Sequence, residues 1–207
     1  MLKKNRFMKL PLILIALFVS IFSFSQEEMY DICPIKNSEE VPSSAIYDVK
    51  GGKVDLKDYI GDRPAVVVFY RGGWCPYCTR HLSALQESKS EINELGFELI
   101  AITPDNFNKL DSSIVRGDVD FTLFSDKDAD AINKFGIGWE INDELYAKYK
   151  NDYKMDVEWW SGESHHILPV PAVFIIKNGK IQFQHVDPNY SKRLSASILL
   201  AYLNSIE

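Results

Sequence analysis

Two continuous runs of apolar residues constrain the fold of this 207-residue chain more than any other feature. Residues 64–70 read PAVVVFY and residues 97–103 read FELIAIT. A segment that is apolar at nearly every position is typical of a strand buried on both faces, as in a parallel sheet covered by helices. Between the two runs, residues 76–95 carry leucine and isoleucine at helical spacing, and Gly96 ends that pattern. The three segments predict a strand, a helix and a second strand in one sheet.

Two glycine-containing turns predict antiparallel hairpins on either side of this unit. Gly51-Gly52 separates short strand-like segments, and Asn178-Gly179 joins residues 171–176 to residues 180–186. Other predicted elements are helices over 105–115, 126–135, 142–153 and 191–204, a strand over 121–124 and a loop over 159–162. The order of elements predicts an α/β fold in which helices flank a mixed central β-sheet. We expect one domain over residues 44–207, preceded by an irregular segment over residues 26–43.

The first 25 residues differ in composition from the rest of the chain. Their start carries four basic residues and no acidic one, and residues 10–24 are apolar apart from two serines and one proline. This run of 15 residues is short against the ~20 residues that span a bilayer. Ser23 and Ser25 have the spacing of a signal-peptidase site, which predicts cleavage before Gln26 and an exported, periplasmic or secreted protein. The alternative is an uncleaved membrane anchor.

Charge and cysteine content narrow the classes of function. Removal of residues 1–25 leaves 19 basic against 29 acidic residues, a net charge of about −10. Such a chain repels phosphate backbones, so we expect no nucleic-acid partner. Because signal cleavage removes the apolar run, we also expect no stable membrane insertion afterwards. Three cysteines are too few for a small domain held together by disulfides. Cysteine is therefore expected to serve chemistry here.

Cys75 and Cys78 lie where the first buried strand turns into a helix. Backbone N–H groups at a helix N-terminus stabilise a thiolate and lower the pKa of the thiol. A second cysteine three residues away can then close a disulfide, so the pattern predicts a redox pair. The alternatives are a structural disulfide, or half of a zinc site completed by histidines, for which the candidates are His81, His165 and His166.

Three stretches of sequence carry a family resemblance. FYRGGWCPYC at residues 69–78, FTLFSD at 121–126 and LPVPAVFIIKNGKIQFQHVDPNY at 168–190 resemble the peroxiredoxin-like AhpC/TSA family of the thioredoxin-fold superfamily. The resemblance covers most of residues 41–206. It implies a thioredoxin-like fold with a peroxiredoxin-type N-terminal hairpin. It also implies a thiol-dependent peroxidase or thiol–disulfide oxidoreductase that needs no metal, flavin or haem cofactor.

Aligned with ordinary peroxiredoxins, the chain keeps one catalytic group and departs at others. Their peroxidatic cysteine falls on Cys78, and Cys75 replaces their catalytic threonine. Their motif proline falls on Arg71, and their active-site arginine falls near Pro171, where this chain has no arginine. Arg71 either favours a thiolate or binds a peroxide oxygen, or else is an arginine in solvent at the end of a strand. Trp74 is expected to shield the sulfurs.

Pro171 stands at the head of the strand predicted over residues 171–176. In thioredoxin-like folds a cis-proline at this place faces the cysteine pair across a cleft. We therefore predict a cis Val170–Pro171 bond in contact with Cys75 and Cys78; the alternative is a trans proline that only begins a strand.

Two further features stay open. Cys33 is either a free thiol on a loose N-terminal segment or a third redox partner. His165 and His166 are either solvated loop histidines or groups that hold a metal or shape the cleft.

The leading hypothesis is a peroxidase. The Cys78 thiolate attacks a hydroperoxide, Cys75 condenses with the resulting sulfenic acid to form a disulfide, and a thioredoxin-like or other external dithiol restores both thiols. One alternative is a disulfide reductase or oxidase in which Cys75 attacks first and Cys78 resolves. Another is a copper-binding protein that uses Cys75, Cys78 and a histidine from 165–166.

Overall fold

The computed structural model describes Met29 and residues 31–111 and 119–206, and a mixed β-sheet lies at its centre. The strands are β1 (Ala45–Tyr47), β2 (Lys53–Asp55), β3 (Ala65–Phe69), β4 (Glu98–Thr103), β5 (Thr122–Ser125), β6 (Gly138–Glu140), β7 (Ile167–Pro169), β8 (Ala172–Lys177) and β9 (Lys180–Val186). The helices are α1 (Leu56–Ile60), α2 (Pro76–Glu87), α3 (Lys89–Glu94), α4 (Asp130–Lys134), α5 (Asp143–Asn151), α6 (Val157–Ser161) and α7 (Ala196–Ser205), with a 3-10 turn at Phe107–Lys109. Seven strands pair in the order β2-β1-β5-β4-β3-β8-β9, and β6 pairs with β7 separately. The predicted α/β fold with a mixed central sheet is confirmed.

Strand β3 is an interior strand of the sheet, and its residues contribute to both hydrophobic cores. It pairs in parallel with β4 and antiparallel with β8, and all five of its residues are buried. Val66 and Val68 pack on the face that holds both buried cysteines and the inner side of α7. Val67 and Phe69 pack on the opposite face, against α1 and α4. The prediction of a strand buried on both faces is confirmed, because consecutive side chains point into different cores.

Helix α2 begins directly after Cys75 and is shorter than predicted. Pro76 occupies the first turn, where its missing N–H costs no hydrogen bond. The predicted helix over residues 76–95 is divided at Ser88, which has φ −98° and ψ 0°. The Ser88 hydroxyl reaches back to the Ala84 carbonyl at 3.5 Å. Serine competes in this way with the helical backbone, and the chain continues as α3.

Both hairpins and the later helices are confirmed, although α4 begins four residues and α7 five residues after the predicted start. The predicted loop over residues 159–162 is wrong. Helix α6 begins after Asp156, whose carboxylate accepts from the Trp159 N–H at 3.3 Å, and Gly162 ends it with φ +78°. Strands β6 and β7 were not predicted. The predicted helix over residues 105–115 begins as the 3-10 turn, and residues 112–118 lie outside the described residues.

The N-terminal segment adds to the outer edge of the sheet. Ser38 N–H donates to the Ile181 carbonyl at 2.7 Å, and Ile181 N–H donates to the Glu39 carbonyl at 2.9 Å. The Tyr202 hydroxyl of α7 donates to the next strand carbonyl, that of Gln182, at 3.0 Å. Part of the segment predicted to be irregular therefore covers the start of β9.

Within the described ranges, no helix has both the length and the apolar character needed to cross a bilayer. The predicted signal peptide over residues 1–25 lies outside those ranges.

Candidate active site

The cysteine pair lies at the junction of β3 and α2, as predicted. Cys75 is the residue that precedes α2, with extended backbone angles (φ −89°, ψ 113°), and Cys78 lies within the first turn. The Cys78 N–H donates to the Cys75 carbonyl at 3.0 Å, which fixes the turn that carries both side chains. Both cysteines are buried and both are free thiols. The structure therefore holds the pair in its reduced form.

Cys75 is the more acidic of the two thiols. The pKa of Cys75 is lowered to about 6, chiefly by a hydrogen bond from the Cys78 side chain. Burial opposes this shift, and the nearby Arg71 and Arg193 guanidinium groups contribute to it. At neutral pH Cys75 is consequently a thiolate, which is the nucleophilic form of the side chain.

Cys78 has the opposite environment. Complete burial raises its pKa well above the ordinary value, and the negative sulfur of Cys75 raises it further. Arg193 opposes this rise: its Nη2 lies 3.6 Å from the Cys78 Sγ. A backbone hydrogen bond from Arg71 also favours the Cys78 thiolate. Cys78 thus keeps its proton while Cys75 is charged.

Arg71 is buried rather than in solvent. Its side chain is 4% exposed, and its Nη2 donates to the Tyr149 hydroxyl at 2.6 Å. The guanidinium carbon lies 5.2 Å from the ring centre of Trp74, 5.4 Å from that of Tyr149 and 4.8 Å from that of Tyr190. Among the described residues, no carboxylate lies within ion-pairing distance of Arg71. Its positive charge therefore acts on the neighbouring sulfur and on aromatic ring faces.

A cleft of about 450 Å³ opens beside Cys75. It is lined by Met29, Arg71, Trp74, Cys75, Pro76, Tyr77, Trp139, Leu145, Lys148, Tyr149, Tyr153, Met155 and Tyr190. Cys78 is not among the lining residues, so a substrate in the cleft meets Cys75 first. Trp74 is 9% exposed and packs in the same core as both cysteines, and its shielding role stays a prediction.

The Gly72-Gly73 pair lets the loop before Cys75 pass close to Trp74 and Asp105. Gly72 has φ +149°, and a Cβ there would lie 2.7 Å from the Asp105 Oδ1 and in collision with the Trp74 ring. The Gly73 N–H donates to the Asp105 Oδ2 at 2.7 Å. Glycine is required at position 72 because a side chain would displace the tryptophan.

The histidines that were candidate metal ligands are held by other bonds. His165 Nε2 donates to the Lys127 carbonyl at 2.7 Å, and its Nδ1 accepts from the Ile167 N–H at 2.9 Å. His166 bonds Glu158 at 2.8 Å and stacks on Tyr146. In the described part of the chain, no group of three histidine, cysteine or acidic side chains is arranged to hold a metal ion. The zinc and copper alternatives thus find no ligand set there.

His81 lies one turn after Cys78 and is buried. Its Nε2 donates to the Leu194 carbonyl at 3.1 Å. Burial lowers the pKa of His81 to about 4, with Arg193 acting in the same direction, so the ring is neutral at pH 7.

The prediction of a cis bond at Pro171 is wrong, since the described residues contain no cis peptide bond. Pro169 ends β7 and Ala172 begins β8, so Val170 and Pro171 form the connection between the two strands. The Val170 N–H donates to the Ile137 carbonyl at 2.8 Å, which holds the backbone immediately before Pro171. Pro171 is buried but does not line the cleft.

Two groups at the site were not predicted. Arg193 and Tyr190 come from the loop between β9 and α7 and reach Cys78 and Arg71 respectively. No local pattern in that polar loop signals such a role. Cys33, in contrast, is exposed, and its carbonyl packs against Gly136 on another part of the fold.

The chain is similar in sequence to the AhpC/TSA family and to a thiol–disulfide oxidoreductase. The sequence pattern of the AhpC/TSA family matches residues 38–184. A Bcp protein of Haemophilus influenzae is 31% identical over 145 residues, which cover 70% of this chain and 91% of that protein. The thiol–disulfide oxidoreductase ResA of Bacillus cereus is 29% identical over 143 residues, covering 66% of this chain and 79% of its own length.

Solved structures agree on the fold. The peroxidoxin BcpB of Mycobacterium tuberculosis superposes with a TM-score of 0.64 at 19% identity, covering 84% of this chain and 99% of that one. Reduced Prx3 of Vibrio vulnificus gives 0.67 at 13% identity, with coverage of 82% and 99%. The predicted thioredoxin-like fold of the peroxiredoxin type is thereby confirmed.

Proposed function

The chain belongs to the AhpC/TSA family and is a thiol-dependent oxidoreductase, and we propose that it reduces disulfides by a first attack from Cys75. The observation that carries this proposal is the difference between the two sulfurs. Cys75 has the lowered pKa and lines the cleft, whereas Cys78 is fully buried with a raised pKa. The nucleophile in thiol–disulfide exchange is the thiolate that the substrate can reach.

The proposed cycle has two exchange steps. The Cys75 thiolate attacks one sulfur of a substrate disulfide, a mixed disulfide forms and the other substrate sulfur leaves as a thiolate. Cys78 then loses its proton and attacks Cys75, which releases the second substrate sulfur and leaves a Cys75–Cys78 disulfide. Two electrons pass from the cysteine pair to the substrate. An external dithiol returns them in a further exchange, and no metal or organic cofactor takes part.

Serine variants of each cysteine test the order of attack, in a Cys33→Ser background that removes the exposed thiol. With a disulfide-bonded peptide, Cys78→Ser is expected to accumulate a mixed disulfide on Cys75. Cys75→Ser is expected to form none at a comparable rate. Mass spectrometry of the intact protein identifies the adduct and its site. Adduct formation on Cys78 in the Cys75→Ser variant, at the wild-type rate, contradicts the proposal.

A second candidate function is hydroperoxide reduction with Cys78 as the attacking sulfur. The register with peroxiredoxins and the position of Arg193, 3.6 Å from the Cys78 Sγ, favour it. In that reaction the thiolate takes the terminal oxygen, the O–O bond breaks, an alcohol or water leaves and Cys78 becomes a sulfenic acid. Cys75 then attacks that sulfur, water leaves and the same disulfide forms. Treatment of Cys75→Ser with one equivalent of peroxide and dimedone decides this candidate: a dimedone adduct on Cys78 supports it, and an unmodified Cys78 rejects it.

We also propose that the enzyme acts outside the cytoplasm, in a periplasm or after secretion. The basic start, the short apolar run and Ser23 with Ser25 support this. Mass spectrometry of the expressed protein is expected to find a chain that begins at or next to Gln26. Recovery of the intact chain from the membrane fraction contradicts it.

A further inference from the structure

We propose that Arg193 is a catalytic residue that stabilises the Cys78 thiolate while Cys78 resolves the mixed disulfide on Cys75. This inference rests on the proposed order of attack, because it assigns Arg193 to the second exchange step.

The guanidinium of Arg193 lies within hydrogen-bonding distance of the buried Cys78 sulfur. Its Nη2 lies 3.6 Å from the Cys78 Sγ, a distance suited to an N–H···S hydrogen bond. Its Nη1 donates to the backbone carbonyls of Tyr190 and, at 2.8 Å, Lys192. The following residue, Leu194, accepts the hydrogen bond from His81 on α2. The loop is therefore tied to the helix that carries Cys78, and the guanidinium is held in place.

The second exchange step requires a buried Cys78 thiolate, which a neighbouring cation stabilises. While Cys75 is a thiolate, Cys78 donates a hydrogen bond to it and keeps its proton. Once Cys75 has joined the substrate, its negative charge is gone, and Cys78 must lose a proton to become a nucleophile. In this step the proton goes to solvent, the Cys78 sulfur forms the bond to Cys75, and the substrate sulfur leaves with the bonding electrons and is protonated from solvent. A buried thiolate without a cation is strongly disfavoured.

Among the charged and titratable groups around Cys78, Arg193 is the one that can stabilise its thiolate. Cys75 is neutral in the mixed disulfide, and Arg71 offers Cys78 its backbone N–H while its guanidinium is bonded to a tyrosine on the cleft side. Burial lowers the pKa values of His81 on α2 and His185 on β9, and Arg193 acts in the same direction on both. Asp187 opposes the shift at His185 without reversing it. Both rings are neutral at pH 7, so the arginine supplies the permanent positive charge at Cys78.

A chromogenic disulfide separates the two steps. In the Cys33→Ser background, 5,5′-dithiobis(2-nitrobenzoate) releases one coloured thiolate on attack by Cys75 and a second one on resolution by Cys78. Stopped-flow absorbance at 412 nm measures both phases. Arg193→Gln is expected to change the first phase by less than about threefold and to slow the second by about tenfold or more, since one pKa unit is a factor of ten in thiolate. Arg193→Lys is expected to restore part of the second rate.

Lys192→Gln is the matched control, because it removes the same charge from the neighbouring, exposed position of the same loop. It is expected to leave both phases within about twofold of the parent. A slowing of both phases by Lys192→Gln as large as that by Arg193→Gln overturns the proposal, since the effect would then be general attraction of the anionic reagent. The proposal is also overturned if the second phase has the same rate in the parent and in Arg193→Gln.

Titration of Cys78 alone gives a measurement that does not depend on turnover. In the Cys33→Ser, Cys75→Ser variant, thiolate absorbance at 240 nm reports the Cys78 pKa. Adding Arg193→Gln is expected to raise that pKa by about one unit, and an unchanged value contradicts the proposal. Failure of the proposed order of attack gives a different result from failure of the Arg193 proposal. If Cys78 attacks first, the coloured first phase persists in Cys75→Ser and vanishes in Cys78→Ser. Circular dichroism and thermal unfolding confirm that each variant is folded.

Discussion

The guanidinium of Arg71 donates a 2.6 Å hydrogen bond to the hydroxyl of Tyr149, and both side chains are buried along the cleft that Cys75 lines. Arg71 lies two residues after the end of β3 and Tyr149 lies in α5, so two distant parts of the chain hold one cation beside the Cys75 thiolate. A fixed charge in a site of low dielectric acts on a neighbouring thiol more strongly than the same charge in water.

Arg71→Gln is expected to raise the pKa of Cys75 by about one unit or more, because the positive charge beside the thiolate is lost. Thiolate absorbance at 240 nm in the Cys33→Ser background measures this shift. Tyr149→Phe is the matched control, since it removes the hydrogen bond to Arg71 and keeps the charge. It is expected to move the pKa by less than half as much. An unchanged pKa in folded Arg71→Gln excludes an electrostatic role for the arginine.

The alkylation rate of Cys75 is expected to depend on pH as a single titration near pH 6. Its pKa is lowered to about 6, so the thiolate fraction rises through that pH and is nearly complete by pH 7.5. Below pH 5 the rate is expected to fall about tenfold per pH unit. Iodoacetamide labelling in the Cys33→Ser background, followed by mass spectrometry, gives the profile. A midpoint near the ordinary thiol value contradicts the assigned environment of Cys75.

Gly72→Ala is expected to destabilise the protein and to perturb the site, because the added Cβ collides with Trp74 and lies 2.7 Å from the Asp105 Oδ1. Gly96→Ala is the control: it also has a positive φ, +81°, but its Cβ meets no atom within 4 Å. Both substitutions carry backbone strain of about 1 kcal/mol, and Gly72→Ala is expected to cost a further 1–3 kcal/mol, on the order of an overpacked core. Urea unfolding monitored by tryptophan fluorescence measures the difference. Equal losses in the two variants refute the close packing at Gly72.

Asp126→Ala is expected to lower the free energy of unfolding by about 1–3 kcal/mol, because it removes the acceptor of two buried N–H groups at the start of α4. The Asp126 carboxylate accepts from Ala131 at 3.1 Å and from Ile132 at 2.7 Å. Asp62→Ala, at an exposed turn position, is expected to change stability by less than about 0.5 kcal/mol. Urea unfolding at pH 7 compares the two. A loss no larger than that of Asp62→Ala shows that these two hydrogen bonds contribute little.

The parts of the site that sequence could predict are those written into one local stretch. The β3–α2 junction combines a continuous apolar run, two glycines, a proline in the first helical turn and two cysteines, and each of these points to the same local structure. The hairpin at Asn178-Gly179 was predictable for the same reason. The junction and the hairpin are both determined by residues that are adjacent in sequence.

The parts that escaped prediction depend on distant contacts or on weak local signals. Arg193 is 115 positions from Cys78 and lies in a polar loop, where only the packing of α7 and β9 brings it to the sulfur. Strands β6 and β7 have three residues each, too few to show alternation. The α6 helix did carry a signal, Asp156 before it and Gly162 after it, but the tryptophan pair between them was interpreted as a loop. The cis bond predicted at Pro171 depends on a family pattern, which the connection between β7 and β8 does not follow.

The cover over the start of β9 has a consequence for behaviour in concentrated solution. An edge strand with free N–H and C=O groups can recruit a strand from another molecule and begin intermolecular aggregation. Here residues 38–41 and the Tyr202 hydroxyl occupy backbone groups of Ile181 and Gln182 that would otherwise point outward. Residues 38–41 therefore protect the edge strand β9 from pairing with another molecule. Removal of the chain up to residue 41 exposes the backbone groups at the start of β9.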